Sequence, residues 1–216
     1  MLEQVIVTPL LQQRASRTPD FEAETRAMKL LARHIAQGSG TILQQLSEVA
    51  LDLCRADSAG VSLLETDGTQ VCFRWRGLAG AWAPYFNGGL PRNASPCGIV
   101  LDTNKTLLVE RPGRHFPEVA KAEPELVEGL LAPFRVLGET VGTVWVLSHR
   151  EERHFDREDQ RIVESLAEFA GAAYLMLDSL ARAYEDTAEL KRSNLRLRES
   201  NDRLWRQLAA LELQKS

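Results

Sequence analysis

Apolar residues recur three and four positions apart over Asp20–Gln37, where Met28, Leu31 and Ile35 share a face. They do so again over Thr41–Cys54, through Ile42, Leu46, Val49, Ala50 and Leu53. That spacing predicts two amphipathic helices. Thr18 before Pro19 is the expected cap of the first, and "GSG" at 38–40 its end. From Ser58 the period falls to two. "SAGVSLLE" and "TQVCFRWRG" flank "TDG", a hairpin signal, with Val71, Phe73 and Trp75 facing one way and Cys72, Arg74 and Arg76 the other. "TLLVE" predicts another strand, and "EGLLAPFRVLGETVGTVWVLSHR" two more joined at "LGET". A helix start at Ser95-Pro96 and the polar loop "RPGRHFPEVAKAEPE" lie between them. This order of elements predicts an α+β fold with a mainly antiparallel sheet.

The C-terminal pattern is the most specific. Steps of +4 and +3 from Ile162 reach Leu166, Phe169, Ala173, Met176, Leu180, Ala183, Thr187, Leu190, Asn194, Leu197, Asn201, Leu204, Leu208 and Leu211. None of these is charged, while the intervening positions carry "DREDQR" and "YEDTAELKR". A lone helix drifts off a strict 3.5-residue repeat, so the pattern predicts supercoiling against a partner. With Leu190 at d, Asn194 and Asn201 fall at a, where Asn pairs best with its own symmetry mate; this favours a parallel homodimer. Asp186 at g and Lys191 at the following e are placed to pair between chains. A helix from about Arg157 to Leu213 would be on the order of 85 Å long, far longer than a domain of this size.

Composition narrows the class. The chain has 216 residues, 44% hydrophobic and 26% charged, with a net charge of −4. No basic footprint invites nucleic acid, and no apolar run is long enough to span a membrane. The N-terminus, with Glu3 and no basic n-region, does not read as a signal peptide, and a cytoplasmic setting is expected. Cys54, Cys72 and Cys97 show no CxxC spacing, so neither a disulfide framework nor a zinc site is indicated.

"NASPCGIVLDTNKTLLVERPGRHFP" and "EGLLAPFRVLGETVGTVWVLSHREERHFDREDQRIVESLAEFAGAAY", with the element order, resemble GAF domains at the input end of bacterial sensor histidine kinases and phytochrome-like proteins. Gly138, Val141, Gly142, Trp145, Phe155, Asp156, Asp159, Leu166 and the Ala-rich run before Tyr174 carry the resemblance. It implies a central antiparallel sheet with dimer-forming helices on one face and a small-molecule pocket on the other. It also implies a non-catalytic sensory module, relaying through the coiled coil to a downstream signalling domain, with residues 1–40 as a bundle helix segment, 41–155 as sensor core and 156–216 as output helix. The ligand and any cofactor are unspecified. Leu166, Phe169, Met176, Leu180, Leu190, Asn194, Leu197, Asn201, Leu204, Leu208 and Leu211 are the expected dimer seam.

In "RNASPCGIVLD", Ser95 caps a helix, Pro96 opens it and Cys97 comes second. There the dipole would lower the thiol pKa, and the free N–H groups with Arg92, Asn93, Arg111, Arg114 or Arg135 would suit an anion. Packing, ligand contact and covalent chemistry are all open to Cys97. Arg92, Asn93, Ser95, Cys97, Arg114, His115 and Trp75 are the expected ligand residues, while Trp82, Tyr85 and Phe86 suit either pocket or core. His149 and His154 read as a solvated turn. Bilin-linked GAF photoreceptors carry an Asp-x-Cys-Phe motif or a Cys-His pair, and both are missing. Free methionine-(R)-sulfoxide reductase has a similar Cys-Gly but needs a further loop cysteine, also missing. A ligand-free dimerisation scaffold is the remaining alternative.

Overall fold

The computed structural model describes residues 4–38, 40–68 and 70–213. Helices α1 (Leu10–Gln13), α2 (Phe21–Ala36) and α3 (Ile42–Leu53) precede strands β1 (Ser58–Asp67), β2 (Gln70–Gly80) and β3 (Gly89–Pro91). Helix α4 (Pro96–Thr103), strands β4 (Leu107–Glu110), β5 (Glu128–Val136) and β6 (Glu139–Ser148), and helix α5 (Arg157–Leu213) follow. The first compact unit ends at Leu175, and the second is the rest of α5 from Met176. One cap differs from expectation. The carboxylate of Asp20, not Thr18, accepts the Ala23 N–H at 2.9 Å and starts α2.

The strands form one antiparallel sheet in the order β3-β2-β1-β6-β5-β4. Alternation decides its two faces. Ala59, Val61 and Leu63 of β1 and Val144 and Val146 of β6 are buried on the side of α3 and α5. Ser62, Thr143, Trp145 and Leu147 face the side of α4. A bulge between Val61 and Ser62 breaks the strict period, so that Leu78 joins Phe73 and Trp75 in the α4-side core.

Specific contacts hold the helix layer. The Gln44 amide of α3 both donates to the Leu78 carbonyl and accepts from its N–H, each at 3.0 Å. On α5, a Cβ added at Gly171 would stand 2.2 Å from the Arg135 carbonyl oxygen, so only glycine lets this helix lie so close to β5. Phe134 of β5 meets Tyr174 edge-on beside it.

The N-terminus adds a strap. Ile6 bridges Val109 antiparallel, Val7 N–H donates to the Leu108 carbonyl at 2.8 Å, and Glu110 N–H donates to the Val5 carbonyl at 2.9 Å. The strap covers the open edge of β4, which unpaired would be a site for unwanted pairing. The chain then runs through α1 to two arginines. Arg14 holds Glu128 with two bonds, at 2.9 and 2.7 Å, and donates to the Phe155 carbonyl. Arg17 holds Asp159 on the first turn of α5 at 2.8 Å and donates to the Leu53 carbonyl. Glu128 and Asp159 are 1% and 0% exposed.

Candidate functional site: a tryptophan-lined cavity under a stapled loop

Opposite the helix layer, the sheet and the start of α4 enclose a cavity. Phe73 and Trp75 of β2, Leu131 of β5 and Trp145 and Leu147 of β6 form its floor. Trp82 and Leu90 close one side, and Ser95, Pro96 and Cys97 the other. The roof comes from the loop between β4 and β5, through Val119 and Leu126. The three indoles pack against one another, with ring centroids 6.2 to 6.5 Å apart. Its free volume is about 40 Å³, and it is partly open to solvent. No lining residue carries a charge.

The polar groups at its wall are neutral. Trp145 Nε1–H donates to Ser62 Oγ at 2.8 Å, and Thr143 Oγ1–H donates to Cys97 Sγ at 3.3 Å. Ser95 occupies the cap position of α4 in an extended conformation, but its side chain closes no cap bond. Its Oγ is buried without a hydrogen-bond partner of good geometry, although it lies close enough to Cys97 to help hold that thiol down.

Here the expectation for Cys97 is corrected. Burial pushes the thiol up from its ordinary value, against the opposing hydroxyls of Thr143, Ser95 and Ser62. Desolvation outweighs the helix dipole, so this is a neutral thiol rather than a reactive thiolate.

Side chains staple the roof loop to the rest of the site through its backbone. Trp82 Nε1–H donates to the Pro124 carbonyl at 3.0 Å. Tyr85 Oη accepts the Glu123 N–H at 3.0 Å and lies 3.3 Å from the Glu123 carbonyl. His149 Nδ1 lies 2.8 Å from the Glu125 carbonyl, which fixes the proton on Nδ1. Its Nε2 then accepts from Ser58 Oγ–H at 2.8 Å, and Ser58 Oγ accepts the Trp82 N–H at 3.0 Å. His149 is thus a joint between loop, β1 and aromatic wall rather than a solvated turn residue. His154, 3.3 Å from Glu128, belongs to the Arg14 cluster.

Of the expected ligand residues, the cavity gathers Trp75, Ser95 and Cys97. It does not gather the others. Arg92 pairs with Asp102, and Asn93 is exposed. Arg114 and His115 are exposed on a short 3-10 turn, whose neighbour Arg111 has φ +42°. This turn sends Phe116 and Val119, not the polar side chains, into the apolar cluster. Arg111 pairs with Glu125 and Glu151, and Arg135 donates to Asn104. Val119, Leu126, Thr143 and Ser62 were missed. The alternation of β6 could have found Thr143 through Trp145, whereas the loop residues carried no periodic signal. Among the described residues no group of three His, Cys, Asp or Glu side chains could hold a metal ion.

The heptad positions divide. Leu166 is 0% exposed and Ala173 1%, both used by the domain's own core, so Leu166 is not free to meet a second chain. Phe169 and Leu180 are half-buried; Met176, Leu190, Asn194, Leu197, Asn201 and Leu204 are exposed. Leu208 and Leu211 fall within α5, their side chains outside the described residues. Among the described residues no helix is long and apolar enough to cross a membrane.

Similar architecture recurs among solved structures. The GAF-B domain of DevS from Mycobacterium smegmatis is 18% identical with a TM-score of 0.53, covering 65% of this chain and 96% of its own. A GAF domain/HD domain protein from Geobacter sulfurreducens is 17% identical at 0.55, covering 66% and 97%. Free methionine-R-sulfoxide reductase from Neisseria meningitidis is 15% identical at 0.56, covering 77% and 98%. At these identities the likeness concerns the fold. No curated protein matches the sequence. The family model of the GAF domain matches residues 40–174, more than half of the chain, and on sheet, cavity and sequence together this chain belongs to the GAF domain family.

Proposed function

We propose that the chain is a dimeric cytoplasmic sensory module, in which occupancy of the cavity is relayed through α5 and a parallel coiled coil to an output domain of histidine-kinase type. One observation carries the reading. Val5 and Val109 belong to the apolar cluster around the cavity, and the strap that begins at Val5 delivers Arg14 to Glu128 of β5 and to the Phe155 carbonyl just before α5, and Arg17 to Asp159 on the first turn of α5. A ligand that moves the cavity wall therefore acts on a segment bonded to the base of the output helix. The dimer rests on the stripe through Phe169, Met176, Leu180, Leu190, Asn194, Leu197, Asn201 and Leu204, continuing in sequence to Leu208 and Leu211. Most of its described members are exposed on a single chain.

Native mass spectrometry of the purified protein tests both halves, since it reports dimer mass and any retained small molecule together. A monomer at micromolar concentration would remove the coiled-coil relay. The scaffold reading has one observation in its favour. A cavity of about 40 Å³ is far below the several hundred Å³ usual for ligand sites. A dimer that carries no molecule and answers to none would favour it. The reductase reading has Cys97 alone at the cavity, with Cys54 and Cys72 outside its lining and the thiol neutral. Turnover of methionine sulfoxide would revive it. A bilin finds no comparable space, and an absorbance spectrum after expression with bilin decides that case.

A further inference from the structure

The cavity's chemistry narrows what it can sense. A charged ligand needs a compensating charge once water is excluded, because an unpaired buried ion costs far more than a buried hydroxyl. No arginine lines the cavity: Arg92 is held by Asp102, Arg111 by Glu125 and Glu151, Arg135 donates to Asn104, and Arg114 stands exposed on the outer side of the roof loop. The wall is built from indoles and aliphatic side chains. One wall group has an unmet need. Ser95 Oγ lines the cavity, is 4% exposed and has no hydrogen-bond partner. A buried hydroxyl left alone is destabilising, so a ligand atom that pairs with it gains what the empty site lacks. Thr143 Oγ1–H already donates to Cys97 Sγ beside it.

We infer that the sensed molecule is compact, uncharged and mainly apolar, with one hydrogen-bonding atom that meets Ser95 Oγ. This rests on the sensory reading above. The free space of about 40 Å³ holds roughly three water-sized groups. A ring-sized ligand therefore enters by displacing Val119 and Leu126 of the roof, which makes occupancy and loop position one event.

Phenol, toluene, benzoate and phenyl phosphate are probes of one shape and graded polarity. Intrinsic fluorescence reads them directly, since Trp75, Trp82 and Trp145 touch the cavity. Phenol and toluene should shift the emission saturably, and benzoate and phenyl phosphate should not at equal concentration. Ser95→Ala should weaken phenol about three- to ten-fold, the value of one net hydrogen bond. It should leave toluene unchanged, which separates the lost contact from any general disturbance. Tighter binding of benzoate or phenyl phosphate than of phenol overturns the ligand class and leaves the sensory reading standing. Equal phenol affinity in Ser95→Ala overturns the role of Ser95. Binding of no probe overturns the inference and counts against ligand sensing itself.

Discussion

The strap offers the sharpest physical test. Asp159 is fully buried, and its two oxygens are held separately: Oδ1 accepts from Arg17 Nη2 and Nε at 2.8 and 3.3 Å, Oδ2 from Arg153 Nη2 at 2.8 Å and the Asp156 N–H at 3.0 Å. Arg17→Met removes every donor to Oδ1 while the charge stays buried. Breaking a buried pair from one side costs about 3–5 kcal/mol. Arg153 remains, and the Arg17 side chain is 20% exposed, so water reaches the gap in part; about 2–3 kcal/mol is the working value. In a unit of this size that lowers the melting temperature by roughly 5–10 °C.

The control is Arg26→Met, which breaks an exposed pair with Glu22 and should cost no more than about 0.5 kcal/mol. Arg17→Met with Asp159→Leu should recover much of the loss, because a buried pair replaced on both sides by apolar groups is often neutral. Hydrogen exchange supplies the functional readout. The amides of Val7 and Glu110, which pair the strap with β4, should exchange faster in Arg17→Met. If Arg17→Met melts within a degree or two of Arg26→Met, the buried-charge argument fails, and the strap loses its claim to couple cavity and helix.

Three further outcomes follow from local geometry. Leu137 sits at φ +52° in the two-residue turn between β5 and β6, 86% exposed, where Asn before Gly138 is the favoured choice; Leu137→Asn should stabilise by about 0.5–1 kcal/mol in a urea titration. Gly171→Ala must lift α5 from the Arg135 carbonyl and should destabilise by about 1–3 kcal/mol in the same assay. Burial raises the Cys97 thiol above its ordinary value of 9.0 and Cys54 still further, so the unfolded chain loses those protons first. The stabilisation is complete below about pH 8.5 and is lost as pH climbs toward the raised folded values, at up to about 1.4 kcal/mol per unit for each thiol. Cys97→Ala should flatten that decline, and an unchanged slope would place the decline elsewhere.

Periodicity carried most of the fold and little of the site, for a physical reason. Alternation in β2 and β6 is a property of the strand itself, so Trp75 could be placed on a face before any contact was known. A single stripe on α5, by contrast, serves two purposes. Leu166 and Ala173 pack on their own sheet while Leu190 and Leu197 stand exposed, and a 3.5-residue repeat looks the same in either use. The roof loop was opaque. Its side-chain directions follow from short 3-10 turns and from Arg111 at φ +42°, so its polar residues turn outward and Phe116 and Val119 turn in. Cys97 shows the third limit. The Ser-Pro cap was legible, but whether dipole or burial rules the thiol depends on how much of the wall closes over it.

That closure sets the energetics of any response. Trp82, Tyr85 and His149 hold the roof by bonds to three successive residues, Glu123, Pro124 and Glu125. Each bond is worth about 0.5–1.5 kcal/mol net, so opening the roof opposes entry by roughly 2–4 kcal/mol before Val119 and Leu126 leave their apolar contacts. An open state at that height is populated at about 0.1–3%, and a ligand's apparent affinity falls by the same fraction. Under the proposed sensory function, Tyr85 and His149, which lie outside the cavity lining, would tune sensitivity without touching a ligand, and Trp82 would do so from the wall itself. The staples also fix the roof through adjacent backbone groups, so the three bonds would be expected to release together. A cavity lined by its own indoles and held in this way has a defined resting state, and under the proposed function a molecule would have to fit the vacated apolar space and satisfy Ser95 to recover the cost of opening it.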